Sequence, residues 1–488
     1  MDDLRPVTAD PGDDLRPVTS DPVARALVVA AIVLYVGLYS MWTIRNHNGF
    51  GTYAFDFGIY DQGLWLLSRF ERPFITIMGR HLFGDHTSFI LLPLVPVYWV
   101  LPSAKVLLVA QAGALGIAAV PAFLIGREKL RNEMLGALIA VAYLLHPALG
   151  WTNFEQFHPD VFEVPLLLFA FWFMLGHRWV WFAVSAGALL LVKEDVAPLV
   201  FVLGIYIAVR HDRRVGLLTS ALAAAYFAAA LWWILPSLNG VGTLNAWRIP
   251  FGGPGGLVRT TFTEPGQLVD YLFDGHRPWY VWQMFVPFAG LSLLAPGVLV
   301  IAAFPLASNL LSTFSYQYDM RYHYGTLILP VLVVSTIFAV ARARSTGVRH
   351  VLVGVVVCAS LTSAYLWGPT PLSRHPVGIA DPGSSTVPYV KRALAMIPDD
   401  AVVSAQYAFV PHLDHRERIY MFPNPWRAQY WGTFTQEGQQ LPEADDVEYV
   451  MVPSVLDQEP KAVFDRIRGE FDTVYDDGGV TLVRRRGP

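Results

Sequence analysis

The sequence predicts a mainly α-helical, polytopic membrane protein of about eleven spans, followed by a small C-terminal α/β domain. Three observations predict it. The 488 residues are 54% hydrophobic and only 15% charged, whereas soluble chains carry about 25% charged residues. Apolar stretches near the length needed to cross a bilayer recur from residue 23 to residue 367. Beyond Trp367 the composition turns soluble, with short β-rich runs between amphipathic stretches.

Residues 1–22 repeat D-D-L-R-P-V-T at 2–8 and 13–19. Rich in Pro and Asp, they cannot bury a core and are expected to be a disordered tail. They have neither a basic n-region nor a cleavage site, so the span near 23–43 is expected to stay as an anchor. Further spans are expected near 104–125, 133–150, 162–176, 179–192, 196–210, 214–236, 280–294, 297–313, 323–343 and 348–367. The membrane domain thus runs 23–367, with an outer loop at 44–86.

The segment 87–101 is short and contains Pro93 and Pro96. If it crossed, the basic loops 127–131, 210–214 and 342–349 would lie outside. If it dips in or lies on the surface, all three are cytoplasmic with Arg25 and Arg178, as Lys and Arg in short loops require. The second arrangement is preferred. It places the protein in the cell membrane with its N-terminus cytoplasmic and the domain at 385–488 extracytoplasmic. It also gathers the polar motifs between spans on the outer face.

In the C-terminal domain, strands are expected at 401–406, 418–422, 448–452, 471–476 and 480–485, with helices at 387–397 and 459–470. Asp477-Gly478-Gly479 is a hairpin turn. The single Cys358 excludes a disulfide framework. No Gly-rich phosphate loop occurs, and a net charge of −4 without an aromatic-interleaved basic patch argues against nucleic acid.

The outer motifs carry the chemistry. Residues 58–70 read as an amphipathic helix along the membrane surface. Asp56 and Asp61, five apart, would sit about 140° apart on a helix and not share a face. Asp56 is then a helix-start residue or a free carboxylate pointing into a cavity, and Asp61 a carboxylate of similar type or part of a solvated face. His81, Asp85 and His86 offer donors for a divalent ion, or form a hydrogen-bonded interfacial cluster. Glu155, His158 and Asp160 stand among Trp151, Phe154 and Phe157, an arrangement suited to sugar and equally to an interface belt. Lys193, Glu194 and Asp195 form either a self-neutralising turn or a phosphate-binding Lys held by its carboxylates. Arg321 and His323 lie among four tyrosines, and Arg248 beside Trp247 in the Gly-rich loop 237–256. An Arg in such a place binds phosphate or anchors at the interface.

Taken in order, F-D-F-G-I-Y-D-Q at 55–62, Gly79-Arg80-His81 with Asp85-His86 and Pro93, F-H-P-D at 157–160, K-E-D at 193–195 and R-Y-H-Y at 321–324 resemble the domain-of-unknown-function 2079 family. The match covers roughly 50–345, and the C-terminal domain looks similar. That family looks related to the GT-C glycosyltransferases. The resemblance implies a GT-C-like bundle that transfers a sugar, with inversion, from a polyprenyl-phosphate donor in the membrane to an extracytoplasmic acceptor hydroxyl of a glycan, lipid or protein. It maps the base to Asp56, with Asp61 as alternate, and the donor phosphate to Arg321, His323 and Lys193. The adjacent acidic pair of many GT-C members is absent from the first loop. No cofactor is required by this chemistry, though a divalent metal at His81, Asp85 and His86 is compatible with it. The competing readings are a lipid-linked sugar flippase and a non-catalytic envelope assembly protein. Transporters bury ionisable groups near mid-span at repeat interfaces, whereas here the span centres are mostly clean.

Overall fold

The computed structural model describes residues 19–430 and 436–487. Most of the duplicated tail lies outside the described residues, but Asp21 and Pro22 do not continue it. Asp21 caps the anchor helix Pro22–Asn48, accepting from Val23 and Ala24 N–H. The Asp21 N–H donates to buried Glu133, whose carboxylate also accepts from Arg25 at 2.7 Å. Arg127 is 3.9 Å from Glu133, and Lys129 lies over the Phe338 ring. Basic residues from two of the predicted inner segments therefore meet at one end of the bundle.

Five helices among the described residues are long and apolar enough to cross a membrane: Pro22–Asn48, Lys105–Leu130, Arg213–Asn239, His323–Ala341 and Thr346–Trp367. Glu133–Leu144 and Pro147–Phe154 form a sixth candidate, bent by 45°. The other expected windows are helical but shorter, including Glu163–Leu175, Trp179–Leu190 and Ala197–Arg210. Helix Ala197–Arg210 packs closely on Arg213–Ala229. A Cβ at Gly216 would stand 2.1 Å from the Ala208 nitrogen, so only glycine allows that approach.

One expectation is corrected here, and the preferred reading of 87–101 as a segment that does not cross agrees with the structure. The window 280–294 is not one helix. Helix Arg277–Phe285 stops before Pro287, and Ala289 and Gly290 take positive φ, which a continuing helix cannot contain. The segment 87–101 becomes a 3₁₀ turn, Phe89–Leu94, and a helix, Val95–Val100. At about 20 Å in all it is too short to span the hydrocarbon core. It packs on the outer loop, where Trp99 Nε1 donates to the Ser68 carbonyl at 2.9 Å.

The outer loop carries helix Ile59–Ser68 and a small antiparallel pair, β1 (Phe74–Ile75) and β2 (Arg80–His81). The C-terminal domain has a five-stranded mixed sheet in the order β4-β3-β5-β7-β6. Its strands are β3 (Val403–Ala405), β4 (Ile419–Met421), β5 (Tyr449–Pro453), β6 (Phe471–Asp477) and β7 (Val480–Arg485). β3 pairs in parallel with β4 and β5, and β6–β7 is a hairpin. Its turn needs positive φ at successive residues, supplied by Gly478 and Gly479.

This domain sits on the outer loop. Thr76 Oγ1 donates to the Ile419 carbonyl at 2.6 Å, Gln62 Nε2 to that of Arg416 at 3.2 Å, and Ala54 N–H to that of Tyr407 at 2.9 Å. The His47 and His412 rings stack at 4.3 Å. Helix Ile59–Ser68 is therefore not spread along a membrane surface. Asp61, Gln62 and Leu64 are fully buried beneath the sheet domain, whose backbone carbonyls satisfy the Gln62 amide.

Candidate active site

Asp56 lies where the chain leaves the anchor helix and before it enters helix Ile59–Ser68. Its backbone, φ 63° and ψ −73°, occupies the γ-turn region, which is strained for any side-chain-bearing residue. It is neither in the first turn of that helix nor an N-cap: the side chain makes no capping bond and is nearly half exposed. The turn is held by Gly58 N–H donating to the Tyr53 carbonyl and Tyr53 N–H donating to Gln156 Oε1 at 3.1 Å.

Against it lies His158, with Nε2 3.3 Å from Asp56 Oδ1. His158 is placed from within the bundle. Its backbone N–H donates to Gln111 Oε1, and Gln111 Nε2 donates to the carbonyls of Thr152 and Asn153. The His158 ring stacks on His323 with centroids 3.8 Å apart. His323 is fixed by Glu155, which takes its backbone N–H on one oxygen and lies 3.0 Å from Nδ1 with the other. The His323 ring meets Tyr324 at 4.1 Å, and the Tyr324 hydroxyl is 3.4 Å from Arg248 Nη1. A continuous wall thus runs from Asp56 through His158, His323 and Tyr324 to Arg248.

Behind it, Lys193 Nζ is 3.3 Å from Asp160 and 3.9 Å from Asp195. His86 Nδ1 is 2.7 Å from Glu194, and Arg80 pairs with Asp85 at 2.8 Å. Burial opposes charge on His158, but Asp56 and then Glu155 outweigh it and push the imidazole up to about 9. Burial alone would raise Asp160, yet Lys193 and the histidines hold it below the usual carboxylate range. Glu155 is pushed well above that range by burial.

The motifs of the first, F-H-P-D, K-E-D and R-Y-H-Y segments converge, but not every expected residue joins them. Asp61 faces away from Asp56, toward Tyr98, Asp414 and His415. His81 does not reach an ion shared with Asp85 and His86: its Nδ1 accepts from the Phe83 N–H, while the other two turn to Arg80 and Glu194. The trios among the described residues that could hold one ion are Glu155, His158 and His323, and Asp61, Asp414 and His415. Arg321 is exposed and doubly bonded to Asp319. Arg248 differs: it lies over the Trp247, Phe314 and Tyr324 rings, and no carboxylate among the described residues lies within ion-pair distance. Gln111 and Glu163 were not singled out from sequence. Gln111 interrupts an apolar run, and Glu163, 2% exposed, accepts from Thr326 Oγ1 at 2.6 Å.

The bundle and its capping sheet give this polytopic membrane protein a GT-C-like fold. The crystal structure of ArnT from Cupriavidus metallidurans bound to undecaprenyl phosphate superposes with a TM-score of 0.57 at 10% identity, covering 96% of this chain and 100% of that one. The apo ArnT structure gives 0.54 at 11% identity with the same coverage. The family of predicted membrane proteins described as DUF2079 matches residues 46–482, and the chain belongs to it. No curated protein matches by sequence.

Proposed function

We propose that this protein is an inverting glycosyltransferase using a polyprenyl-phosphate sugar as donor, with Asp56 as general base. The observation that carries the reading is the wall joining a strained, half-exposed carboxylate to Arg248, which has no carboxylate within ion-pair distance among the described residues, through His158, His323 and Tyr324. The solved ArnT complex contains undecaprenyl phosphate, which supports a lipid-linked donor on a similar bundle.

Asp56 accepts the proton of an acceptor hydroxyl as that oxygen bonds to the anomeric carbon. The bond from that carbon to the donor phosphate breaks on the opposite face, and polyprenyl phosphate leaves with the electron pair. General-base help of this kind contributes about 10²–10⁴ in rate. Arg248 meets the phosphate and stabilises the charge that grows there. Lys193 and Arg321, already paired with Asp160 and Asp319, assist less directly. His158 positions the Asp56 carboxylate. Glu155, His158 and His323 supply a carboxylate and two imidazoles, donors that fit a divalent ion able to polarise a phosphate oxygen when bound. The site faces outward, and the acceptor is an extracytoplasmic hydroxyl of a glycan, lipid or protein.

The test is incubation of the purified protein in lipid with a panel of polyprenyl-phosphate sugars and acceptor glycans or lipids. Release of polyprenyl phosphate with transfer of the sugar supports the reading. Movement of intact donor across the bilayer without cleavage assigns the protein to the flippases instead.

A further inference from the structure

The second cluster of acids lies at the seam between the outer loop and the sheet domain. Asp61 is fully buried and Asp414 is 2% exposed. Asp61 Oδ1 accepts from the Tyr98 hydroxyl at 2.6 Å and lies 3.2 Å from His415 Nε2. One further oxygen of each carboxyl group, Asp61 Oδ2 and Asp414 Oδ2, is buried with no hydrogen-bond partner among the described residues.

We propose that Asp61, Asp414 and His415 form a divalent transition-metal site that clamps the C-terminal domain onto the outer loop. Two buried carboxyl groups facing one imidazole, each with an oxygen that finds no hydrogen-bond partner among the described residues, are a costly arrangement in an interface. The neighbouring guanidinium does not answer it, because Arg416 is spent on the carbonyls of Leu413, Pro398 and Ala401. One donor atom from each of the three residues lies within 4.8 Å of the others. His415 Nε2 and Asp61 Oδ1 already stand close to the ~3.4 Å separating two ligands on a tetrahedral zinc with bonds of about 2.1 Å. The Tyr98 hydroxyl, bonded to the same Oδ1, orients the Asp61 carboxylate, and the His415 ring rests on Trp65 with centroids 6.0 Å apart. Two carboxylates and an imidazole suit Zn²⁺ and its first-row neighbours. The donors come from Asp61 on the loop helix and from Asp414 and His415, just before β4. Bound metal would therefore join segments more than 350 residues apart in sequence. The inference does not rest on the transferase reading.

The test uses the full chain in lipid nanodiscs, stripped with chelator and titrated with Zn²⁺. Metal content is measured by mass spectrometry and unfolding by intrinsic fluorescence. A background carrying Glu155→Gln and His323→Gln removes the other candidate trio. In that background, about one equivalent is expected to bind and to raise the unfolding temperature. Asp414→Asn or His415→Gln should weaken uptake at least tenfold and abolish the rise. His415→Gln, at a partly exposed ring, guards against a variant that merely fails to fold. Equal uptake by the background and both variants would overturn the proposal. So would no uptake by the background together with an Asp414→Asn protein as stable as its parent, the behaviour of two carboxyls sharing a proton.

Discussion

His158 Nε2 lies 3.3 Å from Asp56 Oδ1, and the same imidazole stacks at 3.8 Å on His323, which Glu155 fixes in turn. The Asp56 carboxylate is thereby held by a side chain from between two later helices while its own backbone is strained. A carboxylate held outward at that cost is better suited to meeting a substrate than to capping a helix.

The backbone at Asp56 makes a stability prediction separable from chemistry. At φ 63°, Asp56→Gly should be more stable than Asp56→Ala by about 1 kcal/mol, because alanine keeps the strain and glycine releases it. Both should be inactive. Thermal unfolding of the two variants, alongside turnover, checks it.

His158 sets a pH dependence. Its folded value of about 9 stands above its ordinary 6.5, so its stabilising contribution is complete below about pH 6.5 and is lost as pH rises through 9. The whole effect is on the order of 3 kcal/mol. The difference in unfolding temperature between wild type and His158→Gln, measured from pH 6 to 10, should shrink over that window.

Arg248 is expected to act on donor binding. Arg248→Ala should raise the donor KM about 10- to 100-fold, the worth of a charged hydrogen bond to phosphate. Arg248→Lys keeps the charge but loses the flat face that lies over Phe314 and should recover only part. Arg321→Ala, which frees an exposed pair, should change KM less. Steady-state kinetics with one donor separates the three.

Lys193 is expected to matter for folding before chemistry. Lys193→Ala leaves buried Asp160 without its nearest cation and facing only the histidines, at a cost of up to about 3–5 kcal/mol. Adding Asp160→Asn should restore most of that stability. Unfolding of the single and double variants decides it.

Much of the fold was legible because apolar length and β-rich runs each follow from local sequence. The anchor helix, the bundle and the strands of the C-terminal sheet are of this kind. The site was legible as a set of motifs but not as a set of contacts. Nothing near Asp56 indicates that His158 rather than Asp61 is its neighbour, because that pairing depends on how helices 100 residues apart cross. The burial of Ile59–Ser68 was illegible for a related reason. Its amphipathic pattern is the same whether the cover is a membrane surface or a sheet contributed by residues beyond 400. Asp414 and His415, in an ordinary soluble stretch, carried no signal of their own.

The most direct test is single-turnover transfer in lipid from a polyprenyl-phosphate sugar that the wild-type protein cleaves, comparing Asp56→Asn with wild type at saturating donor. The account predicts a loss of about 10²–10⁴ in rate with donor binding retained. Transfer by Asp56→Asn at the wild-type rate would contradict it.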